Sequence, residues 1–258
     1  FNYEVESDPV INSLWERTEK SAKLAGFIGN GLKITAYTGF DAKRVIIPNE
    51  IDGRPVISIG AKAFMNATVS EVILPKSLKA ILSGAFHGCK DLKHIDLPDS
   101  IVYMGDYCFA GSGLTDFTCP STLEIIPYAC FSDCTELKKV ILGNHVTKIG
   151  EYAFQNCSNL HSISLPESLL AVGSCAFVGT QISTIIFPSN VKEISADAFD
   201  YYREVVCVFL GKDTTVCDYG FSASLIYCLP GSKIQQIARE HGVPMRPLSE
   251  FRMEGLYE

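Results

Sequence analysis

Apolar residues alternate in a two-step pattern that restarts again and again along this chain. Val45/Ile47, Val72/Leu74, Ile95/Leu97, Phe117/Cys119, Val140/Leu142, Ile163/Leu165, Ile185/Phe187, Val208/Leu210 and Tyr227/Leu229 are each separated by a single residue. Such alternation predicts short β-strands with one buried face. A strand-ending residue follows each pair: Pro48, Pro75, Pro98, Pro120, Gly143, Pro166, Pro188, Gly211 and Pro230. Proline lacks the N–H that a ladder needs, and glycine weakens a strand. Within one unit, Ile101 and Met104 supply further core positions and Gly105 offers a turn.

A second pattern runs in step with the first. Phe64, Phe86, Phe109, Phe131, Phe154, Phe177, Phe199 and Phe221 are separated by 22, 23, 22, 23, 23, 22 and 22 residues. A fixed period of this size predicts a solenoid, one coil per repeat. The residue before each ring is small (Ala63, Ala85, Cys108, Cys130, Ala153, Ala176, Ala198, Gly220), so rings of successive coils can pack together as a core spine. The distance from ring to first strand residue is six where Cys89, Cys134 or Cys157 stands three places after the ring. It is five where Ala67, Ser112 or Thr180 stands there. One turn residue is lost, so the inward register survives.

The expected fold is therefore a repeat solenoid, mainly β: a right-handed coil, leucine-rich-repeat-like, of about nine repeats of 22–23 residues with short helical caps. Three parts are expected: a capping helix in 1–31, the solenoid in 32–230, and a capping helix and tail in 231–258. Asp8 and Pro9 start a helix over 8–25 that Gly26 stops, with Trp15 on its apolar face. Ser232 and Gln235 fit a capping box, and Gly242 and Pro244 end the second helix.

The repeat Leu137-Lys-Lys-Val-Ile-Leu-Gly-Asn-His-Val-Thr-Lys-Ile-Gly-Glu-Tyr-Ala-Phe-Gln-Asn-Cys157 resembles the BspA-type leucine-rich repeat family of bacterial and protist surface proteins. The likeness spans about residues 32 to 243, including the entry segment Asp52-Gly53-Arg54-Pro55-Val56 and the exit Tyr227-Cys-Leu-Pro-Gly-Ser-Lys233. Gly143 and Gly211 depart from the proline of the pattern. The resemblance implies an extracellular or cell-surface location and a role in adhesion or protein–protein interaction.

Ten cysteines suggest a disulfide framework at first count. Their repeat register favours buried thiols stacked along the core, and no CxxC pair supports a zinc site. With a net charge of −7 and no basic stripe, nucleic acid is not expected as a partner. No apolar run reaches the length of a membrane helix. Asn66-Ala-Thr68 and Asn156-Cys-Ser158 match glycosylation sequons and are read as chance. The chain carries no GxSxG, HExxH, phosphate-binding loop or dinucleotide fingerprint. No catalytic residue, metal ligand or cofactor is expected.

Side chains pointing out from the strands form two columns. One holds Arg44, Glu71, His94, Asp116, Lys139, Ser162, Thr184 and Cys207; the other holds Ile46, Ile73, Asp96, Thr118, Ile141, Ser164, Ile186 and Phe209. The second column is half apolar where a solvated face should be polar, which suggests a partner. Isoleucine's aptitude for strands, or a covering segment, would explain it equally. The candidate protein-binding face is Ile73, His94, Asp96, Asp116, Lys139, Ile141, Ile186 and Phe209. His94 and His161 should lie about 14 Å apart, as solvated side chains. The expected function is a non-enzymatic protein-binding scaffold, its partner a host or neighbouring-cell surface protein. A spacer module of a larger surface protein is the alternative, and a carbohydrate-active enzyme the third reading.

Overall fold

Short strands separated by strand-breaking residues cannot bury their apolar faces alone, so successive repeats stack. The computed structural model of the protein describes residues 2–5, 31–38, 43–195, 197–199, 204–217 and 223–252, with backbone only for 2–5 and Cys217. It is a mainly β solenoid of about nine turns. The helix expected over 8–25, with Trp15, lies outside the described residues, as do Gly220 and Phe221.

The strands before the proline positions build one side of the stack in parallel register. Arg44–Ile46 pairs with Glu71–Ile73, and Asp116–Thr118 pairs with Lys139–Ile141, which bridges on to Ser164. Thr184–Phe187, Val206–Phe209, Leu225–Cys228 and Met245–Pro247 form a four-stranded sheet. The coil through His94 and Asp96 sits in line but makes no strand of its own.

A second side of the stack, absent from the sequence expectation, carries two parallel ladders, one through Ile81 and Met104 and one through Ile126, Ile149, Val172 and Ile194, all facing inward. Its strands are mostly two residues long, such as Ala80–Ile81, Tyr103–Met104, Lys148–Ile149 and Ala171–Val172. Two residues carry too little alternation to be read as a strand; only stacking makes them a ladder. Here coil backbones come very close. A Cβ on Gly150 would stand 2.7 Å from the Pro127 carbonyl carbon, and one on Gly105 would stand 2.4 Å from the Ser83 nitrogen.

The third side carries the phenylalanines. Each ring from Phe64 to Phe177 is flanked by backbone in the left-handed region two residues before and two residues after, as at Tyr107 and Gly111 around Phe109, or Tyr152 and Asn156 around Phe154. These bends aim the intervening N–H groups along the stack, so Phe86 donates to Cys108, Phe109 to Cys130 and Phe131 to Ala153. Asn66 and Asn156 occupy such corners, which asparagine tolerates better than most residues. That explains half of each sequon without glycosylation.

The spine forms as expected among the described rings. Neighbouring phenylalanines from Phe64 to Phe199 stack with centroids 5.1 to 5.8 Å apart, and Tyr37 extends the row at 5.0 Å from Phe64. All seven rings are buried. The nine cysteines whose side chains are among the described residues are free thiols, eight buried and Cys175 half-buried. Leu92, Leu114, Leu137, Leu160 and Ile182 are all buried, so the 22/23 alternation is absorbed in the turn.

Two inward pairs are corrected. Cys207 and Phe209 pair with Ile185 and Phe187 and face the core, while Leu210 is exposed. In the next coil Ile226 and Cys228 are buried rather than Tyr227 and Leu229. The cause is one extra residue before the strand breaker: Leu210 separates Phe209 from Gly211 and Leu229 separates Cys228 from Pro230, whereas Phe187 adjoins Pro188 directly. Counting back from the strand breaker therefore slips the register by one, which exchanges the two faces.

At the far end the helix Lys233–Glu240 buries Ile234 and Ala238. Ser232 caps it by accepting from the Gln235 N–H, and the Gln235 side chain accepts from the Gly231 N–H, one residue before the cap. The chain then adds the strand Met245–Pro247 and the 3-10 turn Leu248–Glu250, and the Phe251 ring lies 5.1 Å from Tyr227.

Candidate functional site

The outward side of the proline-terminated strands holds seven of the eight candidate residues. Ile73 and Ile141 are 37% and 47% exposed, and Ile46, in register with Ile73, is 56% exposed. Asp96 and Lys139 are exposed and Asp116 and Ile186 half-buried. Phe209 is a correction: the register slip turns it into the core, where it is buried and stacks on Phe187 at 4.9 Å. Cys207 leaves the outward column for the same reason. Val208 takes the outward place beside Ile186, and it too is buried.

Charged neighbours on this face pair with one another. The Arg44 Nε lies 2.8 Å from the Glu71 carboxylate, and Lys43 Nζ lies 2.7 Å from Asp91. The Lys43 hydrogen bond holds the Asp91 carboxyl below its usual range. His94 is not simply solvated: its Nδ1 lies 2.7 Å from the Asp116 carboxylate. His161 Nδ1 instead donates to the carbonyl of its near neighbour Asn159. These exposed pairs contribute little stability. Asp116 of the His94 pair borders a shallow depression of about 460 Å³, lined also by Thr115, Thr118, Lys138, Lys139 and Ile141.

The turns after the strands are stitched rather than reactive. Ser77, Ser100 and Ser168 donate to carbonyls of the preceding coil, at Val56, Leu78 and Val146. His145 serves the same purpose through Nδ1 to the Ser121 carbonyl. Burial raises the Cys89 thiol to about 12 and raises Cys108, Cys130 and Cys157 well above the ordinary range, so these are poor nucleophiles. No group of three His, Cys, Asp or Glu side chains capable of holding a metal occurs among the described residues.

A family model of the BspA-type leucine-rich repeat region, in six copies, matches residues 57–150 and 135–238. The chain belongs to the BspA-type leucine-rich repeat family. No curated protein sequence matches it. This BspA-type chain is similar in fold to a leucine-rich repeat protein from Bacteroides ovatus, at 19% identity over 77% of this chain and 67% of that one, with a TM-score of 0.51. A leucine-rich repeat protein of T. pallidum is 24% identical over 84% of this chain and 91% of its own, with a TM-score of 0.49. A leucine-rich cell surface protein of Faecalibacterium prausnitzii is 19% identical over 79% of each chain, with a TM-score of 0.48. No helix among the described residues of the BspA-type chain is long and apolar enough to cross a membrane.

Proposed function

We propose that this chain is a non-enzymatic protein-binding scaffold, a bacterial surface or secreted leucine-rich repeat protein that mediates adhesion or protein–protein contact through its proline-terminated strand face. The observation that carries the reading is the exposure of Ile46, Ile73 and Ile141 on strands whose alternate residues, Val45, Val72 and Val140, are buried. A sheet face without a partner is ordinarily polar at such positions. Surface display rests on the family resemblance. The partner is a protein of a host or neighbouring cell, and Asp96, Lys139 and the His94–Asp116 pair supply a polar surround to the isoleucines.

One observation favours the spacer alternative: Arg44, Glu71, His94 and Asp116 already satisfy one another across the face. A capture experiment against extracellular host proteins separates the two. The Ile46→Asp/Ile141→Asp double variant should fold and lose the partners of the parent chain. Identical capture by both proteins would leave the spacer reading.

A further inference from the structure

Away from the strand face, three tyrosines form a ladder on the corner beside the phenylalanine turns. Tyr107 and Tyr128 have ring centroids 5.3 Å apart at 66°, and Tyr128 and Tyr152 lie 5.4 Å apart at 60°. Tyr107 and Tyr128 are exposed, at 45% and 36%. Tyr107 and Tyr152 stand at φ of 56° and 57°, the left-handed corner that Gly84 occupies in the preceding coil. A bulky ring is unfavourable in that conformation, so the fold alone gives no reason for tyrosine at these places.

The surroundings select a partner. The two residue columns that carry the ladder contain no Lys or Arg from Gly84 to Cys175, but they contain the exposed carboxylates Asp106 and Glu151. A hydrogen bond to Tyr107 raises the Tyr128 hydroxyl to about 12, and Cys175 raises that of Tyr152; Glu151 adds a smaller opposition to ionisation of both phenols. The electron-rich ring faces thus stand beside negative charge. Adjacent rings tilted by 60° or more make no continuous flat platform for stacked sugars or bases. They do offer separate faces to separate cations.

We propose that the Tyr107–Tyr128–Tyr152 ladder, with Asp106 and Glu151, is a second interaction surface that takes an extended, cationic protein segment by seating its Arg or Lys side chains against the rings. The ladder is on the order of 10 Å long, about three residues of extended chain. Two basic residues at that spacing would each find a ring and a nearby carboxylate.

The test is fluorescence anisotropy of a labelled hexa-arginine peptide against the full chain at physiological salt, with hexa-glutamate as control. The parent chain binds hexa-arginine and not hexa-glutamate. Tyr107→Gly/Tyr128→Ala weakens binding roughly tenfold, since each exposed ring contributes a few-fold. Glycine suits the backbone at residue 107, so the fold is kept. Tyr128→Phe retains binding and Tyr128→Ala alone loses a few-fold, which provides a reading if the double variant does not fold. Glu136→Gln, an exposed acid off the ladder, and Ile46→Asp/Ile141→Asp on the strand face leave affinity unchanged. No affinity in the parent chain, equal affinity in the tyrosine variants, or an equal loss with Glu136→Gln would each overturn the proposal. Loss confined to the isoleucine variant would assign the peptide to the strand face instead.

Discussion

The thiol of Cys157 donates to the carbonyl oxygen of Phe131, one coil earlier, at 3.1 Å. Cys134 does the same to Phe109 and Cys89 to Phe64. The turn after each ring leaves a carbonyl facing the next coil, and a sulfhydryl is small and apolar enough to reach it from inside the core. Replacing Cys157 with alanine should cost about 1–2 kcal/mol, through the lost bond and a small cavity. Urea unfolding measures it. A change below the resolution of that measurement would mean the sulfur only fills space.

The same arrangement predicts the redox state. Denatured protein, prepared without reductant, should expose close to all ten thiols to a colorimetric reagent. In the native state Cys175, the half-buried one, should react ahead of the eight buried thiols. A denatured count near zero would show bridges, against the free thiols described here.

Phe131 lies between Phe109 and Phe154, at 5.7 and 5.4 Å with planes within 7°. Phe131→Ala should destabilise by about 3–5 kcal/mol. Since each coil contacts only its neighbours, Phe131 and Phe154 should show a coupling of about 0.5–1.5 kcal/mol in a double-mutant cycle, and Phe131 and Phe199 none. Equal coupling at both distances would contradict nearest-neighbour stacking.

Gly150 tests the close approach of coils. Its backbone is unstrained, so alanine there meets no conformational penalty, only the Pro127–Tyr128 backbone at 2.7 to 2.8 Å. That neighbour is main chain and cannot rotate away. Gly150→Ala should cost about 1–3 kcal/mol in thermal or urea unfolding. A neutral result would place the coils farther apart than described.

The architecture was legible wherever the repeat was regular. The phenylalanine spacing and the proline-terminated strands specify coil length and inward residues, because stacking requires equivalent positions to coincide. It failed where one residue broke that equivalence: Leu210 displaced Gly211 from the strand end and reversed Cys207 and Phe209. The second side escaped notice because Met104 reads as an isolated core position when its strand is only two residues long. Of the strand face, the isoleucine column was legible from alternation. The His94–Asp116 contact was not, since it joins residues a full repeat apart whose side chains could equally point into water. The tyrosine ladder left only faint signs, because Tyr107 and Tyr152 share a repeat position two coils apart while Tyr128, in the coil between, stands one place out of step.

Stability should fall in alkali before any acid in the chain matters. Burial raises the Cys134 thiol to about 11 and the Cys89 thiol to about 12, from about 9 in the unfolded chain. The native state therefore holds protons that the unfolded state releases. The stabilisation is fully present below pH 9 and is lost as pH rises from there toward 11–12, by up to about 1.4 kcal/mol per pH unit for each such thiol. Asp91 and Asp99 act in the opposite sense, being held low by Lys43 and by the Ser121 N–H. Their contribution is present above about pH 4 and lost in acid, and solvent exposure keeps it small. Urea midpoints at pH 7, 9 and 10, in a phosphine reductant, should stay level to 9 and then drop. Cys89→Ala/Cys134→Ala should start from a lower midpoint and drop less steeply. An equally steep loss in that variant would assign the alkaline transition to groups other than these two thiols.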